Sequence, residues 1–269
     1  MSKSLRVEVL VATMDQKDLT LYDKMNLRCD CLITNQCGAW GYQQETRSDG
    51  STVRMISSDT RGVGLNRNLG LSNAAGDILL FADDDICYTD GTLRAVAEAF
   101  EARPDADVIA FGLTMLRNGE IEKHVTEPDK RRFLWNSMRF GTCRIAVRRE
   151  AVLKHNLSFS RLFGGGCLYG SGEDTVFLRD CFRKGLKVYS SSYVLGTCVR
   201  DQSSWFRGYD DKFFFDRGAM LACAFPKSKH LVKWHFAGKL KKKTGISILR
   251  IVRKMDDGMK AFATITPYE

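Results

Sequence analysis

Five apolar residues, Ile78-Leu79-Leu80-Phe81-Ala82, run directly into three carboxylates, Asp83-Asp84-Asp85. A short, uninterrupted apolar run predicts a strand buried on both faces, and such strands belong to parallel sheets covered by helices. Three adjacent carboxylates at the end of that strand repel one another. A divalent cation relieves the repulsion, and hard oxygen ligands suit Mg²⁺ or Mn²⁺. Ions of this kind take one or two carboxylates plus substrate phosphates, so the run points to a bound diphosphate. A solvated acidic turn capping the next helix accounts for the same three residues on local grounds.

The surrounding pattern supports the sheet. Leu5–Thr13 alternates around Val7, Val9 and Val11 and predicts a first strand. Asp15–Asn26 is compatible with a helix, Cys31–Thr34 with a second strand, and the polar segment Ala39–Ser51 with a loop turning at Asp49-Gly50. Val53–Ile56 predicts a third strand, Gly64–Ala75 a helix, Asp90–Ala102 an amphipathic helix, and Val108–Leu113 another strand. Further on come a glycine-rich loop (Gly164 to Gly172), a helix Glu173–Lys184, a short strand at Val188-Tyr189 and a helix Tyr209–Cys223. Strands alternating with helices predict an α/β domain with a mixed, mostly parallel central sheet flanked by helices. Ligands of such sheets bind beyond the carboxyl ends of the strands, which directs attention to Thr13, Gln36 and above all Asp83.

Composition excludes several classes. Only 4 prolines and as many as 16 phenylalanines among 269 residues argue against a disordered chain. No run approaches the length of an apolar membrane span. Arg6 and Glu8 interrupt the first apolar run, which is not the layout of a secretion signal, so a cytoplasmic protein is expected. The 9 cysteines are scattered without a CxxC pair and read as buried thiols in a reducing compartment. The net charge of +9 is uneven: residues 227–254 carry ten Lys or Arg and no acid, leaving the remainder near neutral. Pro226 therefore marks an expected division between a domain at 1–226 and a basic, helical extension at 227–269.

Three groups of residues could carry chemistry. Arg67, on the helix before the acidic strand, can balance phosphate charge, although a surface arginine is the simpler reading of it alone. Glu173-Asp174 follows the pliant glycine loop and opens a helix, where it serves either as a cap or as a general base. A helix N-terminus lowers an aspartate's pKa, and burial or the Glu173 carboxylate can offset that. Trp205, Phe206 and Tyr209 flank Arg207 and could stack on a sugar ring or pack under a loop. Asp201 is a weaker candidate for completing a metal shell.

The string Gly62 to Asp85, read as G-x-x-x-x-R-N-x-G-x-x-x-A-x-G-D-I-L-L-F-x-D-x-D, resembles the core signature of family 2 glycosyltransferases, which have the GT-A fold. In that family the acidic triplet is the metal-binding D-x-D, here Asp83-Asp84-Asp85. Gly170-Ser171-Gly172-Glu173-Asp174 resembles the family's E-D motif, whose aspartate is the catalytic base of inverting members. Ser204 to Tyr209 further resembles bacterial members that build capsular or other cell-surface polysaccharides. The resemblance covers about residues 5–225. It departs where Ala12-Thr13 replaces a proline and Asn35-Gln36-Cys37 replaces an acidic turn, and the Q-x-x-R-W motif of processive synthases is absent.

The resemblance implies a nucleoside-diphosphate-sugar donor, UDP-linked, held by Thr13, Gln36, Arg67, Asp83 and Asp84. It implies Mn²⁺ or Mg²⁺ on Asp83 and Asp85, Asp174 as base, and an acceptor contacted by Glu173, Trp205 and Arg207. The acceptor would be a glycan or a lipid-linked glycan. The basic extension mixes Lys and Arg with Leu231, Trp234 and Phe236, the pattern of an interfacial segment, and predicts peripheral attachment to an anionic cytoplasmic membrane face. Two alternatives fit less well. A sugar-nucleotide pyrophosphorylase needs a Gly-rich, Arg-containing loop where Ala12-Thr13-Met14-Asp15-Gln16 stands. A nucleic-acid-binding protein needs a basic stripe outside the tail, so nucleic acid is not an expected partner.

Overall fold

A computed structural model describes residues 4–137, 139–199 and 208–265. In chain order the elements are β1 (Val7–Met14), α1 (Leu21–Lys24), β2 (Asp30–Gln36), β3 (Gly41–Thr46), β4 (Thr52–Ser58), α2 (Val63–Asn73), β5 (Ile78–Asp83), β6 (Ile86–Tyr88), α3 (Thr92–Glu101), β7 (Val108–Arg117), β8 (Glu120–Val125), β9 (Lys130–Arg131) and α4 (Leu134–Ser137). They continue with β10 (Ile145–Arg148), α5 (Arg149–Lys154), α6 (Glu173–Arg183), β11 (Val188–Val199), α7 (Asp211–Ala224), α8 (Lys229–Thr244) and α9 (Ile248–Ile265).

All the described strands share one mixed sheet, ordered β3-β4-β2-β1-β5-β10-β7-β11-β6, with β8 on β7 and β9 on β11. β4, β2, β1 and β5 are parallel neighbours, and β7 is parallel to β11. β10 is antiparallel to both β5 and β7, so these six longer strands all run the same way. Their carboxyl ends therefore lie along one edge of the sheet.

The apolar run before the three aspartates behaves as its sequence requires. Ile78, Leu80 and Ala82 face one core with Val9, Val11 and Phe100 of α3. Leu79 and Phe81 face the other, with Leu71 of α2 and Phe177 and Leu178 of α6. Phe81 meets Phe159 and Phe177 edge to face, at 5.0 and 5.6 Å between ring centroids. A strand covered by helices on both sides leaves only its end for chemistry.

Two expected elements differ. The segment read as a loop contains β3, antiparallel to β4 with Tyr42 opposite Ile56. Every residue of β3 is exposed, so both faces are polar and backbone pairing alone defines the strand. Asp15–Asn26 is helical only over Leu21–Lys24. There Asp18 accepts from the backbone N–H and the hydroxyl of Thr20, a local turn that competes with a longer helix.

The basic extension folds onto the rest of the chain. Ile251, Val252, Met255 and Met259 of α9 are buried with Phe214, Met220 and Leu221 of α7 and with Phe163 and Tyr169 of the glycine-rich loop. The α7 and α9 backbones touch at a glycine pair: a Cβ on Gly218 would lie 2.0 Å from the Met255 carbonyl oxygen, and one on Gly258 would lie 1.9 Å from that of Phe215. On α8, the buried Lys233 donates to Asp256 Oδ1 at 2.6 Å. Among the described residues, no helix is long and apolar enough to cross a membrane.

Candidate active site

The carboxyl ends of β1, β2 and β5 meet the start of α2. Asn66 of α2 is buried and donates from Nδ2 to the carbonyls of Thr13 (3.2 Å) and Thr34 (2.9 Å), which fixes the helix against both strands. The Thr13 hydroxyl donates to Asp84 Oδ2, so the end of β1 orients the second carboxylate of the triplet. Gln36 is buried and donates to the Thr60 carbonyl at 2.9 Å, holding the loop that leads into α2.

The next residue of α2 after Asn66, Arg67, is buried with 6% of its side chain exposed. Its Nη2 donates to Asp83 Oδ1 at 2.8 Å and its Nη1 to Glu173 Oε1 at 3.2 Å. The guanidinium also lies over the Phe159 ring. Burial opposes its charge, but Asp83 and Glu173 outweigh burial and hold its pKa above the usual arginine value. Arg67 thus joins the acidic triplet to the Glu173-Asp174 pair, which are 88 to 91 positions apart in the chain.

α6 begins at that junction. Its N-cap is Gly172 with φ +111°, a conformation open to glycine, and a Cβ there would lie 2.6 Å from Met220 Cγ. Asp174, in the first turn, accepts from the Thr175 backbone N–H at 2.6 Å. Its pKa is pushed up to about 6, first by burial and then by the neighbouring Glu173 carboxylate; the Thr175 N–H, Arg217 and Arg67 oppose the rise. The helix terminus therefore loses to desolvation, and the group is poised near neutrality, as a general base requires.

Asp174 and Glu173 line an open cavity of about 300 Å³ with Gly165, Gly170, Ser171, Gly172, Thr175, Arg139 and Arg217. The loop over it is held by Asp216, buried in α7, which accepts from the Gly170 N–H at 2.9 Å and pairs with Lys212. Arg217 and Arg139 were not legible as site residues, and neither was Asp216. The available signal was the pair Asp216-Arg217 inside the otherwise apolar stretch from Phe213 to Ala224. Of the other expected positions, Trp205 and Arg207, together with Asp201, lie outside the described residues. Tyr209 packs edge to face on Phe213.

The acidic triplet offers hard oxygens at the edge of the site. Asp84 and Asp85 are exposed, Asp83 is engaged by Arg67, and Asp85 Oδ2 accepts from the Cys198 thiol at 3.4 Å. Among the described residues, no group of three or more His, Cys, Asp or Glu is placed to hold a metal by itself. The donor set fits an ion that takes most of its ligands from phosphate and water, as Mg²⁺ does, and does not fit a protein-only cage.

A sheet with this strand order, an acidic triplet after its central strand and an E-D pair opening α6 define a GT-A glycosyltransferase fold. The family model described as Glycosyl transferase family 2 matches residues 38–157, from β3 to α5, so this stretch is similar to that family. It includes Arg67 and the acidic triplet, while Thr13, Gln36 and Glu173-Asp174 lie outside it. An uncharacterized glycosyltransferase of Haemophilus influenzae is 29% identical over 109 residues, and the chain spans 37% of that protein's length. S. aureus TarS 1–349 in complex with UDP-GlcNAc is similar with a TM-score of 0.63 at 15% identity, covering 98% of this chain and 82% of TarS 1–349. Its complex with UDP gives 0.58 at 15% identity, covering 90% and 73%.

Proposed function

We propose that this protein transfers a sugar from a UDP-linked nucleotide sugar to a hydroxyl of a glycan or lipid-linked glycan, with inversion at the anomeric carbon. The observation that carries the reading is the Arg67 bridge between Asp83 and Glu173, which sets a phosphate-type site beside a base with a pKa near neutrality. The UDP and UDP-GlcNAc bound by TarS support a nucleotide-sugar donor.

In the reaction, the acceptor oxygen forms a bond to the anomeric carbon as the bond from that carbon to the diphosphate oxygen breaks. The electron pair leaves on the diphosphate, and the hydroxyl proton passes to Asp174. One displacement with one base inverts the centre. Thr13 orients Asp84, and Arg67 supplies positive charge where the diphosphate charge develops. Mn²⁺ or Mg²⁺ held by Asp85 and Asp83 would neutralise the departing diphosphate. The donor sugar would sit over the β1, β2 and β5 ends, with the acceptor in the cavity beside Glu173 and Asp174.

We further assign the protein to cell-surface polysaccharide synthesis on the cytoplasmic face of a membrane. What supports this is α8: Leu231 is 77% and Trp234 49% exposed, one turn apart, among Lys227, Lys239, Lys241, Lys242 and Lys243, all exposed. Apolar anchors ringed by cations suit an anionic interface. Phe236, which the sequence grouped with them, is half-buried and lies under the Arg217 guanidinium.

A thermal-shift screen of nucleotide sugars with Mn²⁺ tests the donor assignment. One UDP-sugar should stabilise the protein more than UDP does. Equal indifference to every nucleotide and nucleotide sugar would overturn it.

A further inference from the structure

The cavity beside Asp174 is lined by two arginines that the proposed chemistry does not use. Arg217 reaches it from α7, with its guanidinium over the rings of Phe213 (5.3 Å) and Phe236 (5.8 Å). Among the described residues it has no hydrogen bond or ion pair. None of its nitrogens is both buried and unsatisfied, so each keeps some access to solvent, and the residue lines the cavity. A guanidinium lying over two aromatic rings, with no hydrogen-bond partner among the described residues, can receive a planar or tetrahedral oxyanion.

Arg139 lines the same cavity and is 62% exposed. Its partner, Glu127 Oε2, accepts from Arg139 at 2.8 Å and from Arg132 at 2.9 Å. One carboxylate serves two guanidinium groups here, while the cavity's own carboxylates are Glu173, already bound by Arg67, and Asp174. Arg132 and Arg144 both lie over the Phe140 ring, and Arg144 Nη2 is buried without a partner. A neutral sugar hydroxyl offers such a wall only weak compensation. A charged oxygen pair satisfies both forks.

We propose that the acceptor bears an oxyanion, a phosphate or a sugar carboxylate, which seats between Arg217 and Arg139 and turns a neighbouring hydroxyl toward Asp174. This inference rests on the glycosyl-transfer reading and names the acceptor class for the same cavity. It makes Arg217 and Arg139 determinants of acceptor specificity, and the charged acceptor would be distinguished from neutral glycans of equal size by its attraction to the two guanidinium groups.

Binding of small probes tests it directly. With the protein saturated in UDP, calorimetric titrations would compare glycerol 3-phosphate with glycerol, and glucuronate with glucose. At least one anionic probe should bind roughly tenfold more tightly than its neutral counterpart, as expected for a charge-assisted contact, and which one binds separates phosphate from carboxylate. Arg139→Gln should weaken that binding several-fold and Arg217→Met more, with Arg217→Lys intermediate. Should Arg217→Met fail to fold, Arg139→Gln decides, because its side chain is exposed. Equal binding of charged and neutral probes, or full anion binding by Arg139→Gln, would overturn the inference. So would an Arg139→Gln variant that loses UDP-GlcNAc affinity in place of probe affinity, since the cations would then serve the donor. Loss of the glycosyl-transfer reading is seen separately, as failure of any UDP-sugar to bind the wild type.

Discussion

Arg67 Nη2 lies 2.8 Å from Asp83 Oδ1, and the same guanidinium reaches Glu173 on a different element. The bridge fixes the separation between the end of β5 and the start of α6. Arg67→Met leaves two carboxylates without their cation, and should lower stability by about 1.5–3 kcal/mol, the range for hydrogen bonds to charged groups. Urea denaturation measures this, and nucleotide affinity should fall with it. An unchanged midpoint with unchanged UDP affinity would mean that the bridge holds nothing together.

The Asp174 carboxyl, raised to about 6, makes both rate and stability depend on pH. As a base it must be ionised, so kcat/KM should fall about tenfold per pH unit below 6 and level off above it. Stability runs the other way. The folded pKa exceeds the unfolded value of 3.8, so the native state holds this proton more tightly, and the stabilisation present below pH about 4 is lost as pH rises through about 6. Asp174→Asn should therefore be more stable than wild type at pH 7 by up to about 3 kcal/mol, with the difference vanishing near pH 4. Thermal melts across that range check the sign.

Asp85→Ala should weaken UDP binding in Mn²⁺ and leave it little changed in EDTA, because an exposed carboxylate acts here through the ion. Titrating UDP into both proteins under both conditions is the measurement. Identical affinities in all four cases would remove the metal from the site's chemistry.

Membrane attachment is best tested without deleting the tail, because α9 carries Ile251, Met255 and Met259 into the core with α7. Substituting Leu231 and Trp234 by Ser on α8 leaves that core intact. The wild type should sediment with vesicles containing anionic lipid at low salt and release at high salt, and the double variant should stay in solution. Equal sedimentation of the two would show that α8 is not the contact.

The sheet was legible from two patterns: Ile78–Ala82 is apolar on both faces, and Leu5–Thr13 alternates around Val7, Val9 and Val11. β3 was not, because its six exposed residues carry no period. Arg67 and the acidic triplet were legible as a pair because they sit close in sequence. The cavity wall was not. Arg139 and Arg217 are separated by 78 positions and come together only because α7 and the segment at α4 both pack against α6, and each alone reads as an ordinary surface or helix arginine. The length of the basic extension was visible, but its docking depends on Gly218 meeting Gly258, a contact no local pattern reports.

The central claim is that Asp174 takes the acceptor proton. The measurement is UDP release from the stabilising UDP-sugar in the presence of acceptor, for wild type and Asp174→Asn, alongside the affinity of each for that sugar nucleotide. Loss of a general base lowers turnover by about 10²–10⁴, so Asp174→Asn should bind the donor normally and release UDP at least a hundredfold more slowly. Near wild-type turnover by a variant that binds the donor equally well would contradict the account.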